Sequence, residues 1–306
     1  MARQIAGIGE IVLDIVLRDA QPQAAVPGGS VFNSMISLGR TVGREYPDVK
    51  LTMVSQMGND PVSEIVLAFM QKNGLETGGM VRSPGQTTVS MAMLDSGSNA
   101  SYEFFRDEHL PPFELPDVRF SPEDIAMFGS LFAVSPATGP QTKEFIARAK
   151  AAGAIVYYDI NFRKNHGIDA ASIEQNIALC DIVRGSNEDI GYLYGTEDAA
   201  SVYAEHIAPL CRNFICTRGA DDADLFSPGV HCNQPIVKVP KLVSTIGAGD
   251  NFNAGVVYAL VREGFTKERL AHLSEDDWHL LAVPAMHFSA NVCGSLFNYV
   301  DEGFRV

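Results

Sequence analysis

The sequence predicts an α/β protein: a mainly parallel sheet covered by helices on both faces, with a β-hairpin appended to it. Three observations carry the prediction. Beyond Pro116, short apolar runs alternate with helical patterns, as parallel strands require, because each crossover needs a helix-length connection. Two β-rich runs flank the turn-forming stretch Asp95-Ser96-Gly97-Ser98-Asn99-Ala100. Near both ends a glycine-rich segment, Pro27-Gly28-Gly29-Ser30 or Gly247-Ala248-Gly249, stands between a β-rich stretch and a helical pattern.

Taken in order, Gln4 to Leu17 is rich in Ile and Val with a polar break at Gly9-Glu10, and reads as one or two strands. Val31, Phe32, Met35, Ile36 and Leu38 then recur at helical spacing. Leu51 to Val54 is a short strand. Asp60-Pro61 opens a helix through Met70, and Asn73-Gly74 marks its end, with Pro in the first turn and Gly after the last. Thr87 to Leu94 and Ser101 to Phe105 form the hairpin. Ile125 to Val134, Ala154 to Ile160, Asp181 to Val183 and Phe214 to Thr217 are the later strands, separated by helices at 140–152, 170–179, 187–194 and 198–210. Gly249 to Arg262 and Glu275 to Phe297 are helical. With 306 residues and no internal repeat or linker, a single domain over 1–306 is expected, the hairpin being an appendage.

Composition narrows the function. Apolar residues make up 46% and charged residues 20%, and the mean hydropathy is +0.04, as in an ordinary globular protein. No apolar run approaches the ~18 to 20 residues that span a bilayer, and the start lacks a charged n-region and cleavage site, so a cytosolic location without membrane attachment is expected. The formal net charge of −14 repels phosphate backbones, so nucleic acid is not an expected partner, although a local nest of amides can still hold a small anion. The five cysteines show no CxxC and read as buried thiols. The histidines form no HExxH, no GxSxG occurs, and no Lys follows a Gly, which excludes a Walker A loop. Gly7-x-Gly9 fails as a dinucleotide fingerprint because its third position is Val12.

The chemistry lies in Ser244-Thr245-Ile246-Gly247-Ala248-Gly249-Asp250-Asn251-Phe252-Asn253-Ala254-Gly255, which follows a β-rich stretch and opens a helix. Gly247, Ala248 and Gly249 let successive amides converge at a helix N-terminus, where unsatisfied donors and the dipole favour an anion. A carboxylate beside a phosphate hole can take the proton that an attacking hydroxyl must lose, which makes Asp250 a candidate base. Taken alone, the same residues serve equally as a helix cap and a tight turn.

Gly247-Ala248-Gly249-Asp250-x-Phe252-x-Ala254-Gly255 resembles the C-terminal signature of the ribokinase-like, or PfkB, carbohydrate kinases. Gly28-Gly29-x-x-x-Asn33 resembles that family's N-terminal sugar motif, and Gly58-x-Asp60-Pro61 the run after its second core strand. The resemblance implies the ribokinase-like fold, with a small β lid contributed by about 11–30 and 79–110, and ATP-dependent transfer of the γ-phosphoryl group to a hydroxyl of a small sugar, fructose foremost. It implies Asp250 as base, an anion hole at Gly247, Ala248 and Gly249, and sugar binding by Asp14, Gly28, Gly29 and Asn33. Arg106, in Tyr102-Glu103-Phe104-Phe105-Arg106, resembles a fructokinase element and fits equally a solvated charge. Asp159-Ile160-Asn161-Phe162-Arg163 resembles the D-x-N-x-R segment of fructokinase and 2-keto-3-deoxygluconate kinase relatives, with Arg163 placed to neutralise the transferring group. Ser186, Thr217 and Gly219 would face ATP, and Asp189 would hold Mg²⁺ through water. The partners implied are a sugar and ATP, with a homodimer through the lid.

Three departures stand out. Ser244 replaces the usual Asp, which leaves monovalent-cation dependence open; Ser186-Asn187-Glu188-Asp189 replaces N-x-x-E; and Asp222 replaces a Gly of the nucleotide-side loop. The other readings are a 2-keto-3-deoxygluconate kinase, a nucleoside kinase, or a sensing relative without turnover.

Overall fold

The computed structural model describes residues 3–94, 100–162 and 170–306. It opens with β1 (Gln4–Ile8), β2 (Val12–Arg18), β3 (Gln21–Gly28), α1 (Ser30–Arg40), the short α2 (Val42–Glu45), β4 (Lys50–Gly58), α3 (Pro61–Lys72) and β5 (Met80–Ser83). β6 (Val89–Leu94), β7 (Ala100–Phe105), β8 (Ile125–Gly129), α4 (Gly139–Ala151), β9 (Ile155–Asp159), α5 (Ala170–Ile177), β10 (Ile182–Ser186), α6 (Asn187–Tyr194) and α7 (Ala199–Val202) follow. The chain closes with β11 (Asn213–Thr217), β12 (Ala223–Ser227), β13 (Val230–Gln234), α8 (Ala248–Arg262), α9 (Lys267–Leu270) and α10 (Glu275–Cys293).

Nine strands form the main sheet in the order β13-β12-β11-β10-β9-β8-β1-β4-β5. It is parallel from β11 through β5, and β12 and β13 extend it antiparallel at one edge. Alternation along each strand separates two cores. Ile5, Met53, Ile125 and Tyr157 pack under α1, α3, α8 and α10, while Ala6, Val54, Phe128 and Tyr158 pack under α4, α5, α6 and α7. A second sheet, β3-β2-β6-β7, stands off the first, its small core of Val16, Ala92 and Leu94 closing on Ile246 of the glycine loop.

Several expectations need correction. Met80–Ser83 lies inside the stretch expected for the lid but pairs with β4 in the main sheet. The strand expected over 125–134 stops at Gly129, because Ser130 turns into the left-handed region (φ 56°) and a 3₁₀ turn, Leu131–Ala133, follows. The helix expected at 198–210 is α7 followed by a π turn, Tyr203–Ile207. β12 and β13 are absent from the sequence reading because polar residues break their apolar runs: Asp224, paired with Arg218 and His231, in β12, and His231, Asn233 and Gln234 in β13. Cys211, Cys216 and Cys232 are buried, whereas Cys180 and Cys293 are only half-buried. Residues 95–99 of the hairpin turn lie outside the described residues.

Asp60 ties the helical layer to the second sheet. One carboxylate oxygen accepts the Ser63 amide at 2.8 Å, capping α3, and the Thr87 hydroxyl at 2.8 Å; the other accepts the Thr87 amide at 2.7 Å. Burial alone would raise its pKa, but the amides and hydroxyls of Thr87 and Ser63 hold it below the ordinary Asp value. Asp60→Ala is therefore expected to cost ~1 to 2 kcal/mol, measured by denaturant unfolding. Stability from a lowered carboxyl is complete above the ordinary Asp pKa and is lost as pH falls through the lowered one. The gap between the two proteins should accordingly narrow on acidification, and a gap that stays constant contradicts the assignment.

Candidate active site

The carboxyl ends of the parallel strands and the start of α8 enclose a cavity of about 490 Å³. In an open α/β sheet the loops after different strands gather at this edge, so residues distant in sequence can share one crevice. Gly9 and Glu10 after β1, Ser130 after β8, Asn161 after β9, and Arg184 and Ser186 of β10 reach it from the sheet; Gly29, Ser30 and Asn33 reach it from α1, and Gly247, Gly249 and Asp250 from α8. Tyr102 and Phe104, alternate residues of β7, cover it from the second sheet. Ser130 and Asn161 hold φ of 56° and 36°. Such backbone strain in non-glycine residues persists only where the surroundings impose it.

At one end of the cavity, α8 begins with Gly247 at its N-cap, φ 75°. A Cβ there would lie 2.9 Å from the carbonyl oxygen of Asn298, so only glycine makes this turn. The amide of Ala248 donates to Thr245. Those of Gly249 and Asp250 fall in the first helical turn, which offers no intrahelical acceptor. Beside them lies the Arg184 guanidinium, 7% exposed; a Cβ on Gly249 would stand 3.0 Å from both of its terminal nitrogens. Arg184 donates to Asp159 at 3.1 Å and to the Thr217 hydroxyl, and its Nε is buried without a partner among the described residues. Burial works against this cation, but Asp159 and Asp189 outweigh it and raise its pKa, so it is always charged. Burial pushes the Asp159 carboxyl up, partly offset by Arg184. A fixed cation beside the first-turn amides of a helix makes an anion site.

Toward the second sheet, Asp250 accepts Ser30 Oγ on Oδ1 and Asn33 Nδ2 on Oδ2, each at 2.8 Å, and its carbonyl accepts the Ser34 hydroxyl at 2.6 Å. Asn33 Oδ1 is buried and lacks a donor among the described residues, an acceptor suited to an incoming hydroxyl. Asp14, 5% exposed, accepts the Ser90 hydroxyl and, at 2.8 Å, Nδ2 of Asn298. Gly28 allows this approach, since a Cβ there would fall 2.0 Å from Asp14 Oδ2. Gly29, φ 124°, would put a Cβ 2.1 Å from the Glu10 carbonyl oxygen.

Asp14, Gly29, Asn33, Ser186, Asp189, Gly247, Gly249 and Asp250 thus line one cavity. Arg106 does not. It forms a two-point pair with Glu10 at 3.0 and 3.1 Å, stacks on Phe104, and lines an adjoining cavity of about 800 Å³. Thr217 and Gly219 are not among the lining residues, but Thr217 accepts from Arg184, which is. Asp222 pairs with Arg218, and buried Ser244 accepts the Ile246 amide. Arg163 lies outside the described residues. Ser186 and Asp189 make a capping box on α6, and Asp189 also accepts the Phe162 amide at 2.8 Å. Each Asp189 oxygen thus accepts one hydrogen bond, and exposed Glu188 lines the cavity beside it. Among the described residues no group of three or more His, Cys, Asp or Glu gathers to hold a metal. A magnesium ion would have to bring most of its ligands as phosphate oxygens and water, as it commonly does.

The sequence reading missed Arg184, Ser30, Asn298 and Glu188. Arg184 left one signal, a charge inside the apolar run Ile182-Val183-Arg184.

Helix-start amides beside a fixed cation, facing the buried acceptors Asp14 and Asn33 Oδ1 across a single crevice, suit phosphoryl transfer, and likeness to known proteins gives the class. Residues 4–272 match the pfkB family of carbohydrate kinases, and the chain belongs to that family. Among its relatives, a fructokinase of Rhizobium leguminosarum bv. trifolii is 28% identical over 283 residues, covering 87% of this chain and 83% of that protein. The fold matches aminoimidazole riboside kinase from Salmonella enterica, solved with aminoimidazole riboside and an ATP analogue, with TM-score 0.80, 20% identity and coverage of 99% and 97%. It also matches ATP-bound fructokinase from Xylella fastidiosa, with TM-score 0.78, 22% identity and coverage of 96% and 93%. No described helix is long and apolar enough to cross a membrane.

Proposed function

We propose that this carbohydrate kinase transfers the γ-phosphoryl group of ATP to a primary hydroxyl of fructose, with Asp250 as the general base. The observation carrying the proposal is that Asp250 stands between the two ends of one cavity, held by Asn33 and Ser30 on one side and opening α8 beside Arg184 on the other. The sugar lies under Tyr102 and Phe104, with vicinal hydroxyls on Asp14 and another on Asn33 Oδ1. Its reacting O–H points at Asp250, which takes the proton as the oxygen attacks phosphorus. The amides of Gly249 and Asp250, with Arg184, receive the charge that builds on the phosphoryl oxygens. Magnesium supplies charge neutralisation of the phosphates when bound, and Glu188 is the residue that would hold it through water. The lid excludes water that would otherwise take the phosphoryl group.

A riboside is the second reading, favoured by the more apolar adjoining cavity, which shares Glu10, Leu131 and Phe132 with the first and adds Leu110 and Phe113. A homodimer through the lid, working in the cytoplasm where ATP is supplied, belongs to the same proposal. Met93 and Phe105, 40% and 55% exposed, share the outer lid face, and the mass of the intact enzyme in solution tests it.

The function is tested by coupled ADP production with fructose, 2-keto-3-deoxygluconate, ribose and adenosine. Fructose should give the highest kcat/KM, and turnover with none of the four overturns the substrate assignment. Asp14→Ala should raise the sugar KM and lower kcat while leaving ATP affinity without sugar unchanged, because buried partners built for hydroxyls are left unsatisfied. An unaltered sugar KM removes Asp14 from the sugar site.

A further inference from the structure

We propose that Ser30 is a positioning residue for proton transfer: its hydroxyl turns between the carboxylates of Asp250 and Asp159, keeping Asp250 hydrogen-bonded both before and after it accepts the substrate proton. The inference rests on the reading of Asp250 as base and adds a second carboxylate to it.

Ser30 Oγ lies 2.8 Å from Asp250 Oδ1 and 3.4 Å from Asp159 Oδ2. A serine hydroxyl carries one proton and can also accept, so it donates to one carboxylate at a time, and the shorter distance puts the resting bond on Asp250. Asn33 supplies a second donor, through Nδ2 to Asp250 Oδ2. Both contacts suit an ionised Asp250, which only accepts.

The reaction reverses that demand. The sugar O–H bond breaks and its proton goes to Asp250. The sugar oxygen's electron pair forms the new bond to the γ-phosphorus, and the bond from that phosphorus to the β,γ-bridging oxygen breaks, its electrons leaving with ADP. Asp250 is now a donor. The Asn33 amide nitrogen cannot accept, but Ser30 can, provided its own proton has somewhere to go. Asp159 provides that place. It is 3% exposed and fixed by Arg184 on Oδ1 and by Asn253 on Oδ2 at 2.8 Å, while Tyr157 donates to Asn253 in turn, also at 2.8 Å. These donors leave Asp159 Oδ2 facing Ser30 with capacity to accept. The chain Asp250, Ser30, Asp159 thus serves both protonation states without moving a backbone atom, and no such path exists when the hydroxyl is removed.

The test compares wild type with Ser30→Ala and Ser30→Thr in the intact enzyme, measuring kcat and the KM for sugar and ATP by coupled ADP release, with thermal midpoints alongside. Loss of one hydrogen bond to a charged group predicts that Ser30→Ala lowers kcat about 10- to 100-fold. Both KM values should stay put, and Ser30→Thr, which keeps the hydroxyl, should recover most of the rate together with any fall in the thermal midpoint. A Ser30→Ala enzyme with wild-type kcat overturns the proposal, as does one whose loss falls on KM or stability with no recovery in Ser30→Thr. Asp250→Asn separates the two readings. If it turns over normally, the base assignment fails and the relay with it; if it is inactive while Ser30→Ala is normal, the relay alone fails.

Discussion

Asp250→Asn is expected to lower kcat by about 10² to 10⁴, the range that a positioned general base supplies. The amide keeps the volume of the carboxylate and can still accept from Ser30 or Asn33, which both reach Asp250 at 2.8 Å. The first turn of α8 therefore keeps its place, and ATP affinity measured by equilibrium titration should hardly change. What is lost is the capacity to take a proton. Near-wild-type turnover in Asp250→Asn removes the assignment.

Gly249→Val is expected to keep the fold at some cost in stability and to lose turnover by at least the roughly 10² to 10³ that a single lost oxyanion donor costs. Gly249 lies inside α8 and is not among the glycines with positive φ, so its backbone conformation is open to any residue. The obstacle is at the site. A Cβ stands 3.0 Å from both terminal nitrogens of Arg184, which cannot retreat because Asp159 and Thr217 hold it. Valine's methyl groups then fill the space in front of the amides. Gly247→Val is a poorer test, since φ of 75° at Gly247 strains any side chain. Full activity in a folded Gly249→Val enzyme contradicts the anion hole.

The parts of the site readable in the sequence are those whose chemistry is local. A glycine turn opening a helix, followed by an acid, announces itself within a dozen residues, and so does the Gly28-Gly29 turn before α1. The alternation of strands and helices likewise gives the sheet, because burial on both faces writes continuous apolar runs. What the sequence hides depends on register. Arg184 meets Asp159 only because β10 pairs with β9 so that the two residues lie side by side. Ser30 joins Asp159 and Asp250 across separations of 129 and 220 residues, and nothing near Ser30 distinguishes it from a helix-start serine. Asn298 supports Asp14 from 284 residues away, in a segment without regular structure. The Ser186-x-x-Asp189 pattern is local and caps α6, whereas the bond that Asp189 accepts from the Phe162 amide depends on how β9 and β10 pair.

The proton-accepting role proposed for Asp250 and the exclusion of water proposed for the lid meet in one observable, the fate of the γ-phosphoryl group. Phosphorus NMR of wild-type enzyme with ATP, magnesium and fructose should show one sugar phosphate ester formed for each ADP, with neither appearing when fructose is omitted. ADP accompanied by inorganic phosphate, at a rate indifferent to the sugar, would contradict the account.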